Sequence, residues 1–357
     1  MNVALVYDRV NKWGGAERIL LALHELFPDA PLYTSVYNSK KAPWAKKFKI
    51  FTSFLRYVPF ASSSHEYYPL FMPLAFESFS FDQYDLVISV TSEAAKGIIT
   101  KPWTKHICYC LTPTRYLWSG YDEYFTNTYL KALAYPGISY LRTWDKVAGQ
   151  RPDTYLAISK EVQKRIKKYY NRDSDLIYPP VDVLLSENSK TVGGPEDYFL
   201  VVSRLVPYKR IDLAIGACNT LKLPLKIIGI GSDERRLKKL AGPTVEFLGS
   251  LTDEELWGYY KHCKALIFPG IEDFGIVIAE ALKFGKPVIA YRGGGALETI
   301  VEGKTGEFFF PQSIDALTSK LEKFDNSAYN PKDCAAQANK FSKDRFKEQF
   351  LHYLETL

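Results

Sequence analysis

Residues 267–281 read IFPGIEDFGIVIAEA. The apolar residues 265–268 suit a strand, Pro269-Gly270 breaks it, and the apolar run that follows is helical and ends at Gly285. Glu272 and Glu280 stand eight positions apart. On one helix that spacing would separate them by about 12 Å along the axis, so each carboxylate meets a different part of one long ligand. The amides of Gly275, Ile276 and Val277 fall between them at the start of the helix, where an anion is favoured. Hydroxyls at both ends with phosphates between is the ligand this spacing suggests. A solvated acidic turn before an ordinary core helix is the plainer alternative.

The same alternation of strand and helix extends in both directions. In the second half of the chain, strands are predicted at 198–202, 225–228, 245–248, 265–268 and 287–290, with helices at 211–221, 234–240, 253–263 and 296–301. Upstream, strands at 2–7, 32–36, 86–90, 106–109 and 154–158 alternate with helical segments, among them 16–26, 128–149 and 160–170, the last capped by Ser159. Pro179-Pro180 and the polar run 186–197 interrupt the pattern, which places a linker at 181–197. An N-terminal domain, 1–180, and a C-terminal domain, 198–340, follow from that division. The last segment, 341–357, puts Phe346, Phe350, Tyr353, Leu354 and Leu357 on one helical face and is expected to return to the first domain. At 357 residues the chain exceeds a single core. The fold class is therefore α/β, two Rossmann-like domains facing across a cleft, with ligands gathered at the carboxyl ends of the strands.

Apolar residues form 46% of the chain and charged residues 24%, as in a soluble globular protein. The five cysteines have no paired ligand spacing, which predicts reduced, packed thiols and a cytoplasmic setting. No apolar run reaches the length that spans a bilayer. Net charge is +6, and residues 1–185 hold 23 Lys and Arg against 17 Asp and Glu, the remainder being balanced. Lys40, Lys41, Lys46, Lys47, Lys49 and Arg56 form one basic cluster beside the aromatics Phe51, Phe54, Tyr57, Phe60, Tyr67, Tyr68 and Phe71. That combination suits the interface of an anionic membrane, or a solvated lysine face over a core; no recognition motif accompanies it, which disfavours nucleic acid.

Beyond the strand ending at Val202, SRLVPYKR (203–210) sets Arg204 and Lys209 five residues apart. A guanidinium fork and a point charge suit a departing diphosphate. Lys209 is favoured over Arg210 because it lies nearer the strand end. Gly14-Gly15-Ala16-Glu17 opens the first helix, where small residues let amides approach a phosphate or sugar. Gly293-Gly294-Gly295 precedes another helix and can line the same cleft. Gly229-Ile230-Gly231 has Glu234 where a dinucleotide fingerprint needs its third glycine, which disfavours a nicotinamide dehydrogenase. Asp173-Ser174-Asp175 reads as a hydrophilic turn rather than a metal site.

GGAE after the first strand, SRLVPYKR after the linker and EDFGIVIAE near the end, in this order, resemble glycosyltransferase family 4. HELFPDAPLYTSVY, PTRYLW, IYPPVD, VEFLGSL and GGALETIVEGKTG carry the resemblance along nearly the whole chain, and its nearest branch is that of the WbaZ-like O-antigen mannosyltransferases. The resemblance implies a GT-B fold, an acceptor-binding first domain, a donor-binding second domain, no metal or other cofactor, and transfer of a hexose with retention. The donor would be a nucleotide sugar, GDP-mannose first, and the acceptor a saccharide or polyprenyl-linked saccharide in cell-surface glycan synthesis. It implies that Glu272 holds donor sugar hydroxyls and Glu280 the ribose, while Arg204 and Lys209 hold the diphosphate. The amides of Gly275, Ile276 and Val277 complete that cradle, and Gly14 and Gly15 match the loop over the reacting centre. The expected location is cytoplasmic, peripheral at the inner face of the cell membrane.

One departure bears on the donor. In Tyr109-Cys110-Leu111-Thr112-Pro113, Leu111 stands where this branch usually has a histidine that touches the donor's 6-hydroxyl. Leucine neither donates nor accepts a hydrogen bond. A 6-deoxyhexose or pentose donor is therefore the second reading, and a nucleotide-binding assembly protein without transfer is the third.

Overall fold

Five consecutive buried residues, Val3–Tyr7, form β1, and a run apolar on both faces is what the middle of a parallel sheet requires. The computed structural model describes residues 1–125, 127–183 and 197–357. Most of the predicted linker, 184–196, lies outside the described residues. Contacts divide the chain into two compact units, Met1–Pro180 with Phe346–Leu357, and Val181–Arg345.

The first unit holds a seven-stranded sheet of order β3-β2-β1-β4-β5-β6-β7. Its other strands are β2 (Leu32–Thr34), β3 (Ile50–Thr52), β4 (Leu86–Thr91), β5 (Lys105–Cys110), β6 (Thr154–Ala157) and β7 (Asp175–Leu176). All pairs are parallel; Tyr7 faces Thr34 on one side and Val90 on the other. The order reverses between β1 and β4, and in such sheets the crevice at that reversal receives ligands. The helices are α1 (Gly15–Leu26), α2 (Met72–Glu77), α3 (Tyr121–Tyr124), α4 (Thr128–Ala148) and α5 (Lys160–Tyr170). Ser159 caps α5 as predicted, its Oγ accepting from the Val162 amide at 3.1 Å.

The second unit holds a six-stranded parallel sheet, β10-β9-β8-β11-β12-β13. Its strands are β8 (Phe199–Val202), β9 (Leu225–Ile228), β10 (Val245–Gly249), β11 (Ala265–Phe268), β12 (Val288–Tyr291) and β13 (Gly306–Phe309). The order is that of the first sheet without its seventh strand, and the reversal falls between β8 and β11, where Leu200 pairs with Leu266. Helices α6 (Ile211–Leu221), α7 (Glu234–Leu240), α8 (Asp253–His262), α9 (Ile276–Lys283), α10 (Ala296–Thr299), α11 (Ile314–Glu322) and α12 (Pro331–Asn339) complete it. Leu205, Ile211, Ile215, Ile227 and Ile267 are fully buried in one cluster that binds α6 to the sheet.

Helix α13 (Lys343–Glu355) leaves the second unit and belongs to the first from Phe346 onward. Phe346 meets the Tyr109 ring edge-on at 5.8 Å, and Lys347 pairs with Glu25. Phe346 and Phe350 are buried, whereas Leu357 at the end of the predicted face is exposed. The α/β class with two Rossmann-like units and a returning helix is thus the observed one. Strands β3, β7 and β13 and helices α11 and α12 were not predicted. The first two are short edge strands with no buried residue, so alternation leaves too few positions to mark them.

His106 on β5 is fully buried, with Nε2 at 2.8 Å from the Ser89 hydroxyl. Burial, with Arg151 and Arg172 near, holds its pKa down at about 3 against an ordinary 6.5. The folded imidazole stays neutral while the unfolded one protonates, so the unfolded chain binds the extra proton. Its contribution to stability is complete above about 6.5 and is lost as pH falls toward about 3. Thermal unfolding followed across that window should fall more steeply with acid for the wild type than for His106→Gln.

Candidate functional site

The chain leaves β8 at Val202, and the single turn Pro207–Lys209 ends at Arg210 in the left-handed region, φ 52°. That reversal sends neighbouring cations apart. Arg210 turns to Asp212 at 3.4 Å, whereas Lys209 is buried and forms an ion pair with Glu272 from the loop after β11. Lys209, not Arg210, is therefore the cation at the sheet's reversal point. Tyr208 organises the pair predicted from the sequence. Its hydroxyl accepts from Arg204 Nη2 at 2.7 Å, and its ring lies 5.2 Å from Lys209 Nζ. Arg204 itself is exposed.

Two glycine contacts fix these loops. A Cβ at Gly270 would lie 2.8 Å from the Lys209 carbonyl oxygen, so a side chain there would separate the loops after β8 and β11. Gly295 donates its amide to the Glu272 carbonyl at 2.9 Å, and a Cβ on it would lie 2.4 Å from the Phe274 Cα. The Gly293-Gly294-Gly295 run thus acts on the backbone that carries Glu272. A narrow pocket of about 10 Å³ lies between Lys209, Glu272, Ser203 and Gly270, room for one water-sized group.

Helix α9 begins at Ile276, with Gly275 before it at φ 84°. Glu272 therefore precedes the helix, and the spacing of about 12 Å argued for two carboxylates on one helix does not apply. Glu280 does lie within α9. It is buried, and its Oε2 accepts from the Tyr260 hydroxyl of α8 at 2.9 Å, while the Tyr260 ring stacks on Phe284. The amides of Ile276 and Val277, at the open first turn, have no acceptor within the helix. Lys209, Arg204, the start of α9 and the two glutamates are together in one unit. Tyr260 was missed, because a partner 20 positions away on another helix leaves no local signal.

Gly14, Gly15 and Leu111 belong to the first unit. Gly14 precedes α1 with φ 176°, extended backbone open to any residue, so conformation does not require glycine there. A Cβ at Gly14 would come within 3.2 Å of Glu17 Oε2. Glu17 is buried and accepts from the Tyr7 hydroxyl at 2.6 Å. Leu111 follows β5 half-buried, its amide bonded to the Thr91 carbonyl at 2.8 Å.

The same strand ends carry a polar cluster that sequence reading missed. Asp8, fully buried, accepts from Thr91 Oγ1 and from the amides of Ser92, Glu93, Ala94 and Ala95 at 2.7 to 3.0 Å. Burial and the Glu93 charge raise its carboxyl against the pull of Arg9 and these amides. Arg9 meets Glu93 at 2.6 Å. Lys96 meets Asp145 of α4 at 2.6 Å, and Asp145 accepts also from Thr114, Trp118 and Tyr170. Burial lowers the Lys96 ammonium, but Asp145 outweighs it and holds the pKa above its ordinary value. The signal available was TSEAAKG (91–97), charged residues directly after an apolar strand.

A buried lysine paired with a partly exposed glutamate at the reversal of a parallel sheet, with an arginine beside it and an open helix start beyond, is chemistry for a phosphorylated ligand. Residues 186–341 match the family described as Glycosyl transferases group 1. The second unit carries that domain. The chain is 28% identical over 169 residues to O-antigen chain mannosyltransferase C of Escherichia coli, covering 45% of this chain and 44% of the relative. It is 30% identical over 167 residues to the GDP-mannose-dependent alpha-(1-6)-phosphatidylinositol monomannoside mannosyltransferase of Mycolicibacterium smegmatis, covering 42% and 44%. The alignments span about half the length of the curated relatives. Among solved structures, Anabaena HepE in complex with UDP and glucose superposes with a TM-score of 0.73 at 20% identity over 100% of both chains. That likeness gives the fold, which is GT-B.

Gly295→Ala tests the tie between the glycine run and Glu272. Its Cβ meets backbone that cannot rotate away, so denaturant unfolding should show a loss of about 1 to 3 kcal/mol. An unchanged midpoint would mean that the loop carrying Glu272 yields freely.

Proposed function

We propose that this chain is a retaining glycosyltransferase that moves a hexose from a nucleotide sugar, GDP-mannose first, to a saccharide or lipid-linked acceptor in cell-surface glycan synthesis. The observation that carries the reading is the Lys209–Glu272 contact at the reversal between β8 and β11, with Arg204 and the start of α9 beside it. Lys209 and Arg204 take the diphosphate and stabilise its charge as it departs. The amides of Gly275, Ile276 and Val277 take the remaining phosphate oxygens. Glu272 accepts hydrogen bonds from the sugar hydroxyls, and Glu280, fixed by Tyr260, from the ribose. The bond from the anomeric carbon to the phosphate oxygen breaks as the acceptor oxygen attacks the same face, and the acceptor's proton passes to the departing phosphate. The family resemblance assigns Gly14 and Gly15 to the loop over the reacting centre. Two cations supply the charge compensation, so no metal ion is required. Mannose is supported by the names of both relatives, which are mannosyltransferases. The basic cluster from Lys40 to Arg56 supports a cytoplasmic chain held peripherally at an anionic membrane face.

Donor-dependent release of nucleoside diphosphate should fall about 100-fold or more in Glu272→Gln and in Lys209→Met, and persist in a chelator. Nucleotide binding without any turnover in the wild type would favour an assembly protein instead.

Leu111 favours a second reading, a 6-deoxyhexose or pentose donor. An apolar side chain at that position leaves a 6-hydroxyl without a partner, at about 1 to 3 kcal/mol. On this reading the wild type turns over a 6-deoxy donor about tenfold or more faster than its 6-hydroxyl counterpart, and Leu111→His reverses the order. Equal rates for both donors in the wild type would remove the reading.

A further inference from the structure

Each sheet carries a pair of a cation and a carboxylate where its strand order reverses. In the second unit it is Lys209 with Glu272; in the first it is Arg9, two residues past β1, with Glu93, two residues past β4. In both pairs the acid is the more exposed partner, Glu93 at 19% against 13% for Arg9 and Glu272 at 27% against 9% for Lys209. Ligands gather in the crevice at such a reversal. The proposed function draws on the second pair alone.

The first pair is not a finished structural bridge. Asp145 in the same unit is one, since Lys96, Thr114, Trp118 and Tyr170 all donate to it. Glu93 by contrast receives one hydrogen bond on its carboxylate, from Arg9 Nη1 to Oε1 at 2.6 Å, and among the described residues Oε2 has no donor. Arg9 Nε, which is buried, lacks an acceptor among them as well. A carboxylate only accepts, so the spare oxygen is left to water or to a ligand that donates. Its backbone is already fixed, because the amides of Ser92, Glu93, Ala94 and Ala95 all bind Asp8.

Glu93 borders a cavity of about 10 Å³ within the first unit, together with Thr114, Tyr116, Trp144 and Asp145. The Tyr116 hydroxyl also has no hydrogen-bond partner among the described residues. Burial, and then the Glu93 and Asp145 charges, hold its phenol well above the ordinary pKa, so it stays protonated and can both donate and accept. Aromatic walls with two convergent polar groups are the makeup of a small-ligand site. Room for one water-sized group admits a single hydroxyl while the rest of the ligand stays outside. Arg9 already neutralises Glu93, so an uncharged donor suits the spare oxygen better than a second cation.

We propose, resting on the transferase reading above, that Glu93 and Tyr116 bind a hydroxyl of the acceptor saccharide, with Arg9 orienting the carboxylate. The acceptor thereby gains named residues within the first unit.

Binding is read by saturation-transfer NMR with octyl mannoside, octyl glucoside and octyl galactoside as probes, on the wild type, Glu93→Ala and Glu272→Gln. At least one probe should bind the wild type saturably, about tenfold or more weakly in Glu93→Ala and unchanged in Glu272→Gln. A purely structural bridge between Arg9 and Glu93 would shift the thermal melt and leave probe affinity alone. Wild-type affinity retained in Glu93→Ala overturns the proposal, as does a wild type that binds none of the probes. If Glu93→Ala does not fold, Tyr116→Phe, which removes only the hydroxyl, is scored in its place by the same criterion. Release of nucleoside diphosphate from GDP-mannose by the wild type is followed in parallel. Normal release with probe binding untouched in Glu93→Ala overturns the acceptor site and leaves the transferase reading standing; no release with probe binding lost in Glu93→Ala upholds the saccharide site and ends that reading.

Discussion

The ion pair between Lys209 and Glu272 joins the loop after β8 to the loop after β11, the two elements between which the second sheet reverses its order. Both side chains are largely withdrawn from water, and attraction between charges strengthens as the surroundings become less polar. Withdrawal also has a cost, and a buried pair persists only where hydrogen bonds and packing hold its geometry. Here the holding is done by backbone. Gly270 lets the two loops touch, and Gly295 bonds the Glu272 carbonyl, so neither partner can move far without carrying a strand end with it.

The first unit solves the same problem with side chains. Asp8 collects the amides of four successive residues and so fixes the loop after β4. That loop presents Glu93 to Arg9 and Lys96 to Asp145. Asp145 is satisfied by three further donors, which is why a fully buried lysine keeps its proton there. A loop held in this way is stiff where the sheet's crevice opens. The second unit instead keeps glycine at the corresponding strand ends and leaves Arg204 exposed to solvent.

What was legible in the sequence follows from the range of each interaction. Alternating apolar strands and helices are local, so both parallel sheets, the Ser159 cap and helix α6 could be read from composition and period. Lys209 and Glu272 were legible as charged residues at strand ends, 63 positions apart, but their mutual contact was not. It depends on the left-handed turn at Arg210, which nothing in the local sequence required. The helix start at 275–277 was legible, but the spacing of about 12 Å, which needs both glutamates on one helix, does not apply, since Gly275 opens the helix with positive φ and leaves Glu272 in the preceding loop. The Lys96–Asp145 pair escaped notice entirely. A lysine after one strand and an aspartate near the end of a long helix carry no pattern until folding brings them within 2.6 Å.

The closed state of the pair bears on what the site can recognise. Without a ligand, Glu272 neutralises Lys209, and a bare diphosphate that drew Lys209 to itself would leave a half-buried carboxylate without its partner. Such a group costs about 1 to 3 kcal/mol or more when unsatisfied. On the proposed reading, sugar hydroxyls replace the ammonium on Glu272 at the same moment that phosphate oxygens receive it. Sugar and diphosphate then bind together, each removing the penalty that the other creates, and a nucleotide sugar is favoured over either half. The preference arises from one contact between two strand ends, which is why the glycines that hold those ends matter as much as the charges themselves.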